Sequence, residues 1–209
     1  MHQDATSLAA MIGSRICHDL ISPIGAISNG LELLCMTTAA PSGPEMSLIQ
    51  QSCDNATARI RFFRIAFGTA ADTRDIPITE ARKTLANHYA GTRISAEWHS
   101  PQDCGRDITQ LAYLTALCLE TALPQGGMIR LELMEKAIVG TAQGKQVRRD
   151  QPVWDVLAES RNEEPTDIIP AHVQFPLLAH LCTERGCPVR LNITDETAIL
   201  RVDLSPDPV

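Results

Sequence analysis

The residues best placed to do chemistry are His18 and Asp19, in the run Arg15-Ile16-Cys17-His18-Asp19-Leu20-Ile21-Ser22-Pro23-Ile24. A neutral imidazole nitrogen can carry a phosphoryl group. Free histidine, with a pKa of about 6.5, supplies the neutral form near pH 7. The other ring nitrogen must then hold the proton. An adjacent carboxylate can fix that tautomer and support the developing positive charge, and Asp19 is the candidate. Successive helix residues diverge, so the contact needs a favourable rotamer or a partner helix. Positioned acid–base help is worth about 10²–10⁴-fold, so losing Asp19 should slow transfer without necessarily abolishing it. Ser22 lies one turn on, where its hydroxyl could orient a water or a phosphate oxygen. Gly25 keeps the next turn low for an approaching protein.

A helix must position this pair. Leu8, Ile12, Ile16, Leu20, Ile24, Ile27, Leu31 and Leu34 recur at steps of three or four, the period of a helix with one buried side. At about 100° per residue, His18 projects away from that stripe, and Ser14, Arg15, Ser22, Gly25 and Asn29 share its face. One histidine on a solvated helix face is also ordinary, and His-Asp alone is a weak motif. Pro23 adds weight. A proline inside a helix costs about 3 kcal/mol or more, so the site needs some compensation.

His18-Asp19-Leu20-Ile21-Ser22-Pro23 resembles the H-box of histidine-kinase dimerisation helices, which reads His, Asp or Glu, then proline five residues after the histidine. Ile21 departs from that box, which usually has a basic residue there. The longer run Cys17 to Leu34, with Arg61-Phe62-Phe63-Arg64-Ile65-Ala66-Phe67-Gly68, resembles the ChpT-type histidine phosphotransferases of alphaproteobacterial phosphorelays. The resemblance covers about the first 70 residues by motif and the rest by order of elements.

The 209 residues allow one large or two small domains. Hydrophobic residues make up 44% and aromatics only 4%, so the cores are built from Leu, Ile, Val and Ala, which suits helical packing. A formal charge of −7 argues against nucleic acid as the main partner, although Arg59, Arg61, Arg64 and Arg148-Arg149 leave room for a local basic face. The seven cysteines include no CxxC pair and read as small buried hydrophobes in a reducing compartment. A zinc site from His180, Cys182 and Cys187 is the weaker reading. Cys17 beside His18 diverges from it on a helix, which argues against a thiol catalyst. No signal peptide or apolar run long enough to span a bilayer is visible, so a soluble, cytoplasmic protein without a membrane partner is expected.

Helix 1 is expected from Thr6 or Ser7 to Thr38, a turn to Pro44, and helix 2 to about Gly68. Helix 2 shows a seam of Ile49, Cys53, Ala56, Ile60, Phe63 and Phe67. Two long helices and a short loop make an antiparallel hairpin with little inside. Two hairpins would bury both stripes in a dimeric four-helix bundle through residues 1–70. The competing arrangement packs the hairpin against the rest of its own chain. Asp72–Asp75 reads as a linker. Beyond it the pattern is a short strand at Ile76–Ile78, a helix to Tyr89, a strand Arg93–Trp98 and a helix Asp107–Leu123. Strands Met128–Met134 and Ala137–Thr141 follow, then helices Asp150–Ser160 and Ala171–Arg185, and strands Val189–Ile193 and Ile199–Val202. Residues 161–167 read as a polar loop and Ser205–Val209 as a loose tail.

The expected fold is therefore α+β: a phosphotransfer hairpin over 1–71, then an α/β sandwich over 76–205 with helices on one sheet face. The order of elements in that second region resembles the ATP-binding domain of histidine kinases. Where those kinases carry a magnesium-binding Asn before an Ala, this chain has Thr121-Ala122, with Pro124 where a Lys often stands. The Asp-x-Gly-x-Gly adenine loop is missing. The nearest glycine stretch, Gly140–Gly144, has no acid and the wrong spacing for a phosphate cradle. The resemblance thus implies a degenerate domain that binds no ATP. It implies a phosphotransferase that takes a phosphoryl group on His18 from the receiver domain of a hybrid histidine kinase and passes it to response-regulator receivers. Any Mg²⁺ would come with the receiver, and the chain holds no cofactor or metal of its own. Ser14, Arg15, Ser22, Gly25, Asn29 and Arg64 are candidates to meet the partner, and the arginines read equally well as solvated surface. A receiver phosphatase, with Asp19 or Ser22 orienting water, and a non-catalytic dimeric adaptor are the alternatives.

Overall fold

The structure, a computed structural model, describes residues 2–36, 43–68, 75–148, 152–157 and 168–204. Two long helices come first, α1 (His2–Met36) and α2 (Pro44–Ala66). Pro44 and Glu45 open α2, where a missing amide costs nothing and an acid meets the helix dipole. The helices run antiparallel: Gly30 of α1 meets Ile49 of α2, while Asp19 meets Arg59. A Cβ on Gly30 would lie 2.5 Å from Ile49 Cγ1, so glycine there lets the two backbones approach.

The remaining order is α3 (Ile78–Tyr89), β1 (Ile94–His99), α4 (Arg106–Glu120), β2 (Gly127–Met134), β3 (Ala137–Gln143), a 3-10 turn (Pro152–Leu157), a second 3-10 turn (Pro170–His172), α5 (Gln174–Glu184), β4 (Val189–Ile193) and β5 (Thr197–Asp203). The five strands lie in the order β1-β2-β3-β5-β4. Only β1 and β2 are parallel, the pair that α4 connects; the other neighbours are antiparallel. Alternation sets the buried face: Ala96, Trp98, Ile129, Leu131, Ile138, Leu200 and Val202 point into the core. The nearly all-apolar α4 is buried from Thr109 to Leu119 between the sheet and the other helices.

The core does not stop at the second region. Phe62, Phe63, Ile65 and Ala66 of α2 are buried in the same cluster as Leu85, Tyr113 and Trp98. Phe62 stacks on His88 at 3.9 Å and on Tyr113 at 4.5 Å between ring centroids. Leu8, Ile12 and Ile16 of α1 pack against that cluster too. The seam expected on helix 2 is thus only one of its apolar faces. Ile49 and Phe63 are buried, whereas Ile60 is exposed, because Phe62 and Ile65 turn toward the body of the chain instead. On α1 the stripe also divides: its first half is covered by the body, and Ile24 and Leu31 are exposed.

Other local expectations are corrected. Ile76 makes only an isolated bridge to Cys104, and Ile78 already begins α3 because Asp103 Oδ1 accepts its amide at 2.8 Å. Helix α4 ends at Glu120, three residues early, as Thr121 Oγ1 bonds back to the Cys118 carbonyl at 2.7 Å. The helix expected at 150–160 is a 3-10 turn over Pro152–Leu157, with its ends outside the described residues. The helix expected from Ala171 is a 3-10 turn followed by α5. Helix 1 begins earlier than Thr6, at His2. The linker 72–74, most of the turn 37–43, the loop 161–167 and the tail lie outside the described residues.

Candidate phosphotransfer site

His18 sits in the middle of α1 with 85% of its side chain exposed. Its Nδ1 is 3.1 Å from Asp19 Oδ1, so the rotamer supplies the contact that helix geometry alone withholds. A carboxylate only accepts hydrogen bonds. The pairing therefore places the proton on Nδ1 and leaves Nε2 with a free lone pair pointing to solvent. Asp19 itself is mostly covered, at 13% exposure. Its second oxygen, Oδ2, accepts from Arg15 Nε at 2.9 Å, an i,i+4 pair on one helix face.

The backbone of Asp19 is held as well. Pro23 has no amide hydrogen, and its i−4 partner would be the carbonyl of Asp19. Arg59 of α2 donates to that carbonyl from its guanidinium at 2.8 Å. This is the compensation that a proline inside the helix calls for, and it lies on the residue next to His18. In the sequence Arg59 is only one member of a basic stretch with Arg61 and Arg64. The usable signal was the proline four residues after Asp19, which demands an outside donor.

The other expected residues separate into two groups. Ser14, Ser22, Gly25 and Asn29 are exposed beside or beyond His18 on α1, and a Cβ built on Gly25 would meet nothing within 4 Å. Arg64 is exposed near the end of α2, where its carbonyl accepts from Arg106 at 2.6 Å. Arg15 is placed otherwise than a surface contact residue. Only 14% of its side chain is exposed, and besides Asp19 its guanidinium reaches the Ala171 carbonyl at 2.5 Å.

Behind Asp19 a cleft of about 450 Å³ separates α1 and α2 from the start of α5 and the ends of α3 and α4; Arg15, Arg59, His88, Glu120 and Gln174 help line it. Burial, then the nearby Arg59 charge, lowers the His88 pKa to about 3. Burial raises that of Glu120, which accepts from the Tyr89 hydroxyl at 3.3 Å. Thr121, which the sequence resemblance sets against the kinase asparagine, spends its hydroxyl on its own helix. Gly140 lies inside β3, paired to Leu131 on one side and Leu200 on the other, so the stretch beginning there is strand and not a phosphate loop. The expectation of buried cysteines holds for Cys104, Cys118, Cys182 and Cys187 and is corrected at Cys17 and Cys35, which are exposed on α1. His180, Cys182 and Cys187 border one further cavity, and among the described residues no group of three or more His, Cys, Asp or Glu is placed to hold a metal. Among those residues no helix is long and apolar enough to cross a membrane.

Comparison with known proteins identifies the family. Residues 78–197 match the histidine phosphotransferase C-terminal domain family. The chain is 30% identical over 205 residues to the protein phosphotransferase ChpT of Brucella abortus (strain 2308), covering 95% of this chain and 96% of that protein. A solved structure of a bacterial phosphotransferase superimposes with a TM-score of 0.79 at 31% identity, over 95% of this chain and 97% of that one. With that coverage from end to end, and with an exposed, carboxylate-paired histidine at mid-helix, the chain belongs to the ChpT-type histidine phosphotransferases.

Proposed function

We propose that this protein is a phosphorelay intermediate in which His18 receives a phosphoryl group from the aspartyl phosphate of a hybrid kinase's receiver domain and delivers it to a response-regulator aspartate. The observation that carries this is the Asp19-paired, solvent-facing imidazole. In the forward step the Nε2 lone pair forms the N–P bond as the P–O bond to the receiver aspartate breaks, and the electron pair leaves with that carboxylate. The Nδ1 proton stays in place, and the resulting cation lies against the Asp19 carboxylate. The return step reverses these bonds at a second receiver. Such transfers depend chiefly on positioning and charge stabilisation, so the low surface at Ser22, Gly25 and Asn29 is where a receiver docks. Magnesium arrives with the receiver.

The protein works without ATP in this reading. The placement of Thr121, Pro124 and Gly140 supports it, since none presents a phosphate-binding amide loop. It also works as a homodimer. Ile21, Ile24 and Leu31 on α1 and Ile60 on α2 are each more than half exposed, and a second hairpin would cover them in a four-helix bundle. Sedimentation is expected to give twice the chain mass, and Ile24→Glu to shift it toward the monomer.

The deciding experiment is transfer from a radiolabelled, phosphorylated receiver domain. The wild type is expected to acquire acid-labile, base-stable label, with none on His18→Ala and none from ATP alone. Loss of the receiver's phosphate as inorganic phosphate, with no label on the protein, would make it a phosphatase. Binding with no chemistry at all would make it an adaptor.

A further inference from the structure

Arg15 does something a surface arginine does not. Its Nε holds Asp19 Oδ2 at 2.9 Å while another of its nitrogens holds the Ala171 carbonyl at 2.5 Å. Ala171 belongs to the 3-10 turn Pro170–His172, which precedes α5. One guanidinium therefore ties the carboxylate beside the reactive histidine to the C-terminal region, 156 residues away in sequence.

The chain of contacts has a direction. Asp19 Oδ1 faces His18 Nδ1 and Oδ2 faces Arg15, so turning the carboxylate breaks both bonds together. Among the described residues, Arg15 is the side chain hydrogen-bonded to Oδ2, because Arg59 takes the backbone carbonyl instead. A guanidinium has its donors fixed in a planar fork, so holding one end orients the other. The ring of His18 is 85% exposed, so no packing orients it. Its tautomer is set by the one hydrogen bond, and that bond depends on where Asp19 points.

We propose that Arg15 is a positioning residue through which the C-terminal region holds Asp19, and through Asp19 the Nδ1–H tautomer that leaves His18 Nε2 free to react. This rests on His18 being the phosphoacceptor. It gives the C-terminal domain a task on the reaction itself: its seat against α1 decides how much of the histidine is in the reactive form. A partner that moves the Pro170–His172 turn would alter transfer without touching His18.

The test combines ¹⁵N spectroscopy of the His18 ring with transfer from a phosphorylated receiver, both on the full chain, with a melting curve for each variant. Arg15→Met keeps the stem and removes the fork. It is expected to turn a spectrum of one tautomer into an averaged one and to slow transfer at least roughly tenfold. Arg15→Lys, a point charge that cannot bridge both acceptors, is expected to fall between the two, and carries the same test if Arg15→Met does not fold. Pro170→Gly loosens the turn while leaving Arg15 in place, and is expected to move the ring signals in the same direction by a smaller amount. A wild-type spectrum and rate in both arginine variants overturns the proposal. A shift in those variants with none in Pro170→Gly overturns the role of the C-terminal region. Label appearing on His18→Ala would instead overturn the phosphotransfer reading, and the ring spectra would still judge Arg15 independently.

Discussion

Two histidines, one exposed on α1 and one buried at the end of α3, show what the proposed phosphotransfer site requires. His88 lies between Phe62 and Phe63, stacked on the first at 3.9 Å, and is 8% exposed. Burial and the Arg59 charge keep it neutral, with a pKa lowered to about 3. Neutrality is what a phosphoacceptor needs, yet a ring sandwiched in the core can meet no partner. His18 is in the opposite position, open to solvent with its side chain 85% exposed and one ring nitrogen tied to Asp19. Desolvation makes an imidazole neutral and unreachable, whereas a carboxylate on one nitrogen orients it and leaves the other open. The surrounding arginines follow the same division. Arg15 and Arg59 both serve Asp19, and neither is spread on the surface for a partner.

The sharpest way to break this comparison is to exchange the losses. His18→Ala is expected to end label transfer, while His88→Phe, which keeps an aromatic ring in the stack, is expected to leave it essentially intact. The effect of His88 should appear in acid stability. Its folded pKa of about 3 lies below the unfolded value of 6.5, so between those limits the unfolded chain binds a proton that the folded one does not. Its contribution is therefore complete above the unfolded pKa. It is lost as pH falls toward the folded one, at a slope of about 1.4 kcal/mol per pH unit. Glu120 works in the other sense, since a raised carboxyl pKa favours the folded state on acidification. Denaturant titrations from neutral pH downward, wild type against His88→Phe, isolate the histidine. Equal slopes would mean that His88 binds its proton as readily in the folded chain as in the unfolded one.

Arg59 sits on both sides of the comparison, since it satisfies the Asp19 carbonyl and depresses His88. Arg59→Met leaves that carbonyl unpaired beside the proline and is expected to cost about 1–3 kcal/mol. The cause can be separated by a double-mutant cycle. Pro23→Ala restores the amide that would pair with the carbonyl within the helix, so the cost of Arg59→Met should shrink in that background. Coupling of at least about 0.5 kcal/mol in urea unfolding is expected; none would mean Arg59 acts through other contacts.

The sequence was legible where a local rule decides the outcome. The period of α1, the proline at the start of α2, the alternation of Ala96 and Trp98 and the position of His18 opposite the apolar stripe all follow from spacing within one element. What escaped depends on contacts between distant elements. Nothing near Arg15 in sequence signals that a carbonyl at residue 171 will take its guanidinium. Phe62 and Ile65 fall outside the seam of helix 2, and the partners that bury them, among them Leu85 and Tyr113, lie beyond residue 80. The short strand at Ile76 failed because Asp103 claims the amide of Ile78, 25 positions before it, for a helix start.

The smallest effect concerns two glycines of α1 that sequence alone treats alike. At Gly25 an added Cβ meets nothing within 4 Å, whereas at Gly30 it meets Ile49 Cγ1 at 2.5 Å. Gly30→Ala is expected to lose about 1–3 kcal/mol by forcing α1 and α2 apart. Gly25→Ala is expected to gain up to about 1 kcal/mol from helix propensity, a rise of roughly 2–4 °C in melting temperature for a chain of this size. If a receiver comes down on this turn, an added methyl at Gly25 stands in its way, since the space around that Cβ is open in the chain alone. Gly25→Ala should therefore pair a higher melting temperature with slower transfer from a phosphorylated receiver. If stability rises and transfer is unchanged, the receiver does not come down on this turn of α1, and the docking face must lie on the Ser14 side of His18 instead.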